Sequence, residues 1–198
     1  KNKNVKSKGL LNNIAMAVKI ALDLGISKKI ISKALPKLKF EGRIQYISTG
    51  KIIKKLYPKE KLLIDGCHSE VSGKNLSDYL KTLEIPKYGI WSMMKNKDPS
   101  NFIKQFKGVF KKIYTVPIIG EKNSLSPKVL EKIAKKNDID VISIKNFDTV
   151  IKKTSNELVN GANKLISNKR DSIQGEVDAK INLARRITQD RIVQLEEA

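Results

Sequence analysis

The sequence predicts an α/β fold with a three-layer, open and mostly parallel sheet, followed by a helical C-terminal tail. Two observations carry this prediction. Over about residues 40–155, short apolar runs typical of strands alternate with segments whose apolar residues recur at helical spacing. Strands that alternate with helices form parallel sheets through right-handed crossovers. Residues 157–198 instead carry almost no strand pattern, and their apolar residues recur near helical spacing between paired charges.

The chain opens with two predicted helices. Residues 10–24 carry apolar side chains at helical spacing, and Gly25 follows as a natural C-cap. Ser27 then provides an N-cap for a short helix over 28–35, which Pro36 ends.

The remaining elements alternate in type. Strands are predicted at 43–48, 61–65, 88–93, 112–117 and 141–144, and helices at 72–83, 100–106, 127–137 and from Asp148 onward. Pro99 and Pro127 suit the first turns of two of these helices. Ligands of open α/β sheets bind at the carboxyl ends of the strands. We therefore expect a site among the polar residues that follow strand ends: Asp65, His68, Lys95, Asp98 and Glu121.

Composition sets broad limits on function. The net charge of +20, from 40 basic and 20 acidic residues, favours anionic partners. The lysines are scattered, and no run joins clustered arginines to stacking aromatics, so a solvated lysine-rich surface is favoured over a nucleic-acid stripe. Cys67 is the only cysteine, which excludes an internal disulfide and fits a reducing cytoplasm. No apolar run is long enough to span a membrane. The chain begins with Lys1 and in mid-pattern, and we interpret it as a fragment.

The segment LLIDGCHS places Asp65 at a strand end, with His68 three residues beyond. A carboxylate in that position can accept hydrogen bonds from both ribose hydroxyls of a nucleotide, and a nearby histidine can contact base or phosphate. Taken alone, the segment fits equally a turn aspartate with an incidental histidine.

Three further segments are ambiguous by themselves. In GRIQ, Arg43 can hold phosphate through its planar guanidinium, or can be an ordinary surface arginine. In MMKNKDP, the side chains of Lys95, Lys97 and Asp98 can steady a phosphate or form a loop ion pair. VPIIGE, which ends at Glu121, reads alone as a polar loop.

Together and in this order, the four segments resemble the C-terminal domain of folylpolyglutamate synthases and dihydrofolate synthases, which belong to the Mur ligase superfamily. The resemblance covers about residues 9–155. It implies residues 1–38 as the helical end of a preceding ATP-binding domain, 39–155 as a Rossmann-like domain of the Mur ligase C-terminal type, and 156–198 as a helical tail atypical of the family.

The resemblance also implies a reaction. ATP, with Mg²⁺, would activate a dihydropteroate or folate carboxylate as an acyl phosphate, which the amine of L-glutamate attacks. A P-loop domain missing from this chain would supply the metal ligands, so no metal ligand and no catalytic residue is assigned here. The fragment is expected to be inactive alone and the full enzyme to be monomeric.

By position, the resemblance assigns Arg43 to the ATP phosphates, Asp65 to the ribose, His68 to the nucleotide and Asn13 to the adenine. Lys95, Lys97 and Asp98 are further candidates for contact with ATP. Gly9 and Leu10 stand where the family has His-Gln, which leaves Asn12 as a rival to Asn13, and Ser69 stands where the family has Asn.

Two other functions stay open at the level of sequence. One is a cationic module that binds nucleic acid or protein and oligomerises through its helical tail. The other is a Mur-type ligase acting on a cell-wall precursor, although GRIQ and VPIIGE favour folate. The sequence does not separate dihydrofolate synthesis from polyglutamate extension.

Overall fold

The computed structural model describes the backbone of residues 5–196 and the side chains of residues 5–180. The elements in this part of the chain are α1 (Lys8–Asp23), α2 (Lys28–Ala34), β1 (Gln45–Ile47), β2 (Leu62–Ile64), α3 (Glu70–Lys81), β3 (Tyr88–Trp91), α4 (Pro99–Lys104), β4 (Lys112–Thr115), α5 (Pro127–Lys135), β5 (Val141–Ser143) and α6 (Phe147–Glu196). Short 3-10 turns occupy Leu35–Lys37 and Ile53–Lys55. Each predicted helix and strand is therefore confirmed in type, with shorter strands than expected.

The predicted parallel sheet is confirmed for three of the five strands. β3, β4 and β5 pair in parallel in that order. The expectation that the first two strands join this sheet is wrong, since β1 and β2 form a separate antiparallel pair. A parallel pair needs a long crossover, usually through a helix. The segment between β1 and β2 contains only one 3-10 turn, which suits an antiparallel return of the chain.

The parallel sheet is the middle of three layers. On one face, Trp91, Ile113 and Val141 pack with the buried residues of α3, α4 and α5. On the other face, Tyr114 and the strand residues next to it in register pack with the first turns of α6 around Val150. Neighbouring strand residues point to opposite faces, so one apolar strand supplies both cores.

Serines fix the starts of four helices. The side chains of Ser7, Ser27, Ser69 and Ser126 each accept a hydrogen bond from a backbone N–H in the first turn of α1, α2, α3 or α5. Such caps satisfy donors that have no partner inside the helix. The local sequence thus sets the helix boundaries that later position the site.

The contacts of the chain divide after Ser155 into two compact units, and α6 runs through the division. In the first unit, the start of α6 buries Val150, Ile151 and Ser155. In the second unit, the side chains of residues 160–180 are exposed. The prediction that the tail adds helix and no final strand is confirmed for the described residues.

No helix in the described part of the chain combines the length and the apolar character that a bilayer-spanning segment requires.

Candidate functional site

An open cleft of about 450 Å³ lies where the start of α1, the start of β1, the end of β2 and the first turns of α3 meet. Arg43 and Asp65 both line it, together with Asn12 and Asn13. The cleft lies wholly in the first unit of the chain.

Antiparallel pairing of β1 with β2 explains why Arg43 and Asp65 meet. The register sets Gln45 opposite Ile64. The residues just before β1 therefore lie beside those just after β2, although 21 positions separate Ile44 from Asp65 along the chain. The side chains from GRIQ and LLIDGCHS converge through strand pairing, and the parallel sheet takes no part in it.

The Asp65 carboxylate ties these two loops together. Its Oδ2 accepts from the backbone N–H of Ile44 at 2.7 Å, and its Oδ1 accepts from the backbone N–H of Cys67 at 2.7 Å. An ionised carboxylate has about four acceptor positions, so the two backbone bonds do not use all of them. Ile44 has φ 43°, a left-handed conformation that is costly for a β-branched residue. The bond to Asp65 and the burial of the Ile44 side chain hold that conformation.

The Arg43 guanidinium lies across Gly66. Its Nη1 donates to the Gly42 carbonyl at 2.9 Å, and the same carbonyl accepts from the Gly66 N–H at 2.8 Å. A Cβ at position 66 would stand 2.5 Å from Arg43 Nη1, so only glycine permits this approach. The Gln45 side chain in turn accepts from the Gly42 N–H at 2.7 Å. Each residue of GRIQ therefore takes part in a hydrogen bond that helps to orient the exposed guanidinium of Arg43.

His68 and Cys67 point elsewhere. The His68 ring Nδ1 lies 2.9 Å from the Gly66 carbonyl oxygen, and His68 is not among the described residues that line the cleft. Burial, with the adjacent Asp65 carboxylate, raises the pKa of the Cys67 thiol to about 12. The thiol therefore stays protonated at neutral pH and is a poor nucleophile.

The side of the cleft formed by α3 was not predicted from the sequence. Ser69, Ser72 and Asn75 line it at intervals of three residues. That spacing puts side chains on one face of a helix, and it is the signal that could have revealed them. Ser69 and Ser72 also form a reciprocal capping box at the start of α3.

Both candidate asparagines of α1 line the cleft, so the structure does not separate Asn12 from Asn13. Gly9, which stands where the resembled family has His, brings α1 close to α3. A Cβ at Gly9 would lie 2.6 Å from the amide nitrogen of Asn75.

The other strand-end residues form a second group. Lys95 donates through its backbone N–H to the Asn123 carbonyl at 2.7 Å and through Nζ to the Lys122 carbonyl at 3.1 Å. Glu121 accepts from the Asn123 N–H at 2.7 Å. The loops that carry MMKNKDP and VPIIGE are therefore hydrogen-bonded to each other at the carboxyl ends of β3 and β4.

Asp98 is the N-cap of α4. It accepts from the backbone N–H groups of Ser100 and Asn101, and the bond from Asn101 contributes most to holding the Asp98 pKa below its usual value. The described residues that line the cleft do not include Lys95, Lys97 or Asp98. We expected the residues that follow strand ends to form one site, and this expectation is wrong. Asp65 follows β2, which lies outside the parallel sheet, whereas Lys95 and Asp98 follow β3, which lies within it.

The donor set of the cleft suits an anionic, hydroxylated ligand. Arg43 offers a planar, permanently charged fork, the start of α3 carries the positive end of a helix dipole, and Asp65 offers acceptors for hydroxyl groups. Across the described residues, no three His, Cys, Asp or Glu side chains are grouped as a metal site would require.

The three-layer arrangement, with its parallel three-stranded sheet and C-terminal helix, is an α/β fold that this chain shares with solved folate ligases. Folylpolyglutamate synthases are among the solved structures with a similar fold. The Mycobacterium tuberculosis enzyme, in a structure complexed with ADP and AMPPCP, matches over 80% of this chain with a TM-score of 0.63 and 16% identity. The Thermotoga maritima enzyme matches over 70% of it with a TM-score of 0.52 and 19% identity.

At these identities the likeness establishes the fold. This chain spans 35% of the length of the Mycobacterium tuberculosis protein and 32% of the Thermotoga maritima protein. No family model and no curated protein sequence matches this chain.

Proposed function

We propose that this chain is the nucleotide-closing domain of an ATP-dependent folate ligase, which adds L-glutamate to dihydropteroate or to a folate. One observation carries the proposal. Arg43 and Asp65, the residues assigned to ATP phosphate and ribose, line the same cleft as Asn12 and Asn13, the candidates for the adenine contact. The fold similarity to folylpolyglutamate synthases, one of them in complex with ADP and AMPPCP, supports it.

Within this proposal, each residue has a limited role. Arg43 delivers positive charge to the phosphates when the domain closes, and phosphoryl transfer depends chiefly on such charge stabilisation and alignment. Asp65 orients Arg43 through Ile44 and accepts from the ribose hydroxyls with its remaining lone pairs. Closure also excludes water, which would hydrolyse an acyl phosphate intermediate.

His68 would need to turn away from the Gly66 carbonyl to reach the nucleotide, and Lys95, Lys97 and Asp98 would act from the neighbouring loop pair. The described residues contain no group of three His, Cys, Asp or Glu side chains, and the proposal leaves the Mg²⁺ ligands to the P-loop domain. The same proposal includes three further expectations. The longer protein carries a P-loop domain, it works in a reducing cytoplasm, and this chain is inactive alone.

Exposed apolar side chains of α1 and α2 favour the hypothesis that these helices contact another domain of a longer protein. Three large apolar side chains are 60–76% exposed: Met16 of α1, Leu24 at the C-cap of α1 and Ile30 of α2. Exposed apolar area of this kind is typical of an interface. We infer that α1 and α2 pack against the ATP-binding domain in the longer protein.

The proposal predicts that Arg43→Ala, in the longer protein that carries this domain, lowers kcat for glutamate-dependent ADP release by about 100-fold or more, as is typical when one charge-stabilising donor is removed. The dissociation constant for the folate substrate should change little, because Arg43 acts on the phosphates. The measurement is steady-state kinetics with dihydropteroate and with tetrahydrofolate as acceptors.

Arg170→Ala is the matched control, since it removes an exposed arginine outside the cleft and should leave kcat unchanged. An Arg43→Ala protein with wild-type kcat would reject the role of Arg43. Absence of glutamate-dependent ADP release with either acceptor would reject the ligase assignment itself.

A further inference from the structure

The part of α6 beyond Ser155 presents an apolar stripe. Ala162, Ile166, Ile173 and Val177 recur at intervals of four or seven residues and fall on one face of the helix. All four are exposed, with Ile166 at 62% and Ile173 at 52%.

A helix of this composition gains little stability by itself. Gly161 and Gly175 stand in its interior, and each costs about 1 kcal/mol relative to alanine. Most helical stability in proteins comes from burying an apolar face. The stripe is therefore a surface that a partner helix would stabilise.

The charges beside the stripe indicate which partner fits. Lys169 and Glu176 are two helical turns apart, so they border the stripe on the same side. Arg170 borders the opposite side. One flank therefore carries charges of both signs, and the other carries a cation.

We propose that a second copy of this chain covers the stripe, with the two helices antiparallel and Lys169 beside Glu176 of the second copy. In an antiparallel pair related by a two-fold axis, the same flank of each helix meets itself. The flank that contains Lys169 and Glu176 is thus complementary to its own copy, and the two-fold axis produces the ion pair twice.

A parallel pair would not use these charges. It would set the flank of Lys169 and Glu176 against the flank of Arg170, which offers Lys169 no acidic group in residues 156–180. Glu176 would lie six residues, or about 9 Å along the axis, from the level of Arg170. Charges at such flanking positions select partner and orientation in helix pairs. This inference concerns residues 156–180 and does not depend on the proposed ligase activity. It proposes a dimer where the resemblance led us to expect a monomer.

The test is sedimentation equilibrium of the full chain between about 1 and 100 µM, with helicity followed by circular dichroism. The wild-type chain should dimerise reversibly. Lys169→Glu and Glu176→Lys should each raise the dimer dissociation constant at least tenfold, because each sets like charges together twice. The double variant K169E/E176K should restore the wild-type constant, since it exchanges the two signs.

A second pair of variants provides the control. Lys164→Glu and Asp171→Lys reverse charges that are also two turns apart but lie away from the stripe, and they should leave dimerisation unchanged. Ile173→Asp should abolish dimerisation and keep the first unit folded. A wild-type chain that stays monomeric at 100 µM, or single charge variants that dimerise like wild type, would overturn the proposal. So would a double variant as weak as either single variant.

Discussion

Asp65 shows how one side chain can organise a site and still be available to a ligand. Its two oxygens each accept one backbone N–H, from Ile44 and from Cys67, and this holds the loop of Arg43 against the end of β2. The carboxylate is half-buried, so these bonds are only partly exposed to competition from water. Hydrogen bonds to charged acceptors are stronger than neutral ones. We therefore expect Asp65 to stabilise the fold as well as to contact a ribose.

Asp65→Ala should lower the free energy of unfolding by on the order of 2 kcal/mol, because it leaves the N–H of the buried Ile44 without its acceptor. Urea denaturation of the full chain measures this loss. Asp78→Ala is the control: Asp78 forms an exposed ion pair with Lys74 at 3.5 Å, and its removal should cost less than about 0.5 kcal/mol. Equal midpoints for the two variants would show that Asp65 has no structural role.

At the scale of elements, Glu131 joins α5 to β5. Its Oε1 accepts from Lys135 Nζ at 2.5 Å, one turn along the helix, and its Oε2 accepts from the Ser143 N–H at 3.1 Å. The bond from Lys135, followed by that from Ser143, lowers the pKa of Glu131 from 4.5 to about 2. A folded-state pKa below the unfolded value means that the ionised carboxylate favours the folded protein.

The stabilisation by Glu131 should be complete above pH 4.5 and disappear as the pH falls toward 2. Glu131→Gln should therefore melt at a lower temperature than wild type at pH 7, and the difference should shrink steadily between pH 4.5 and 2. Thermal melts across that range measure it. Lys135→Met removes the main cause of the pKa shift and should flatten the same acid dependence. A Tm difference that is constant with pH would contradict this account.

At the scale of the molecule, the boundary after Ser155 separates two kinds of helix. The first turns of α6 close one face of the parallel sheet with Val150 and Ile151, which are nearly fully buried. Beyond Ser155, the same helix belongs to the second compact unit, and its side chains from residue 160 to 180 are exposed. One continuous helix thus serves a core at its start and offers an interaction surface farther on.

A chain that ends at Ser155 should keep the Tm of the first unit within a few degrees, since the buried core is complete at that residue. A chain that ends at Asn146 should lose at least about 3 kcal/mol, because Val150 and Ile151 no longer cover the sheet. Calorimetry of the two truncated proteins measures the contrast. Similar melting of both would show that α6 contributes nothing to the core.

The order and type of the helices and strands could be predicted from the local sequence. Caps such as Ser69 and Ser126 and prolines such as Pro99 act within a few residues, so the local sequence contains the information that sets helix starts. The helical character of the tail follows equally from periodicity along the chain. Arg43 and Asp65 could be selected as site residues because their motifs lie in short, contiguous segments.

The pairing of the strands and the set of side chains that share a cleft could be seen only in the folded chain. Strand pairing depends on contacts between distant segments, so the antiparallel union of β1 with β2 could not be read from two apolar runs. That pairing brought Arg43 to Asp65 in a cleft whose described lining does not include Lys95 or Asp98. The position of α3 adds Ser72 and Asn75 to the same cleft. The chemistry of each side chain is local, whereas its neighbours are set by long-range packing.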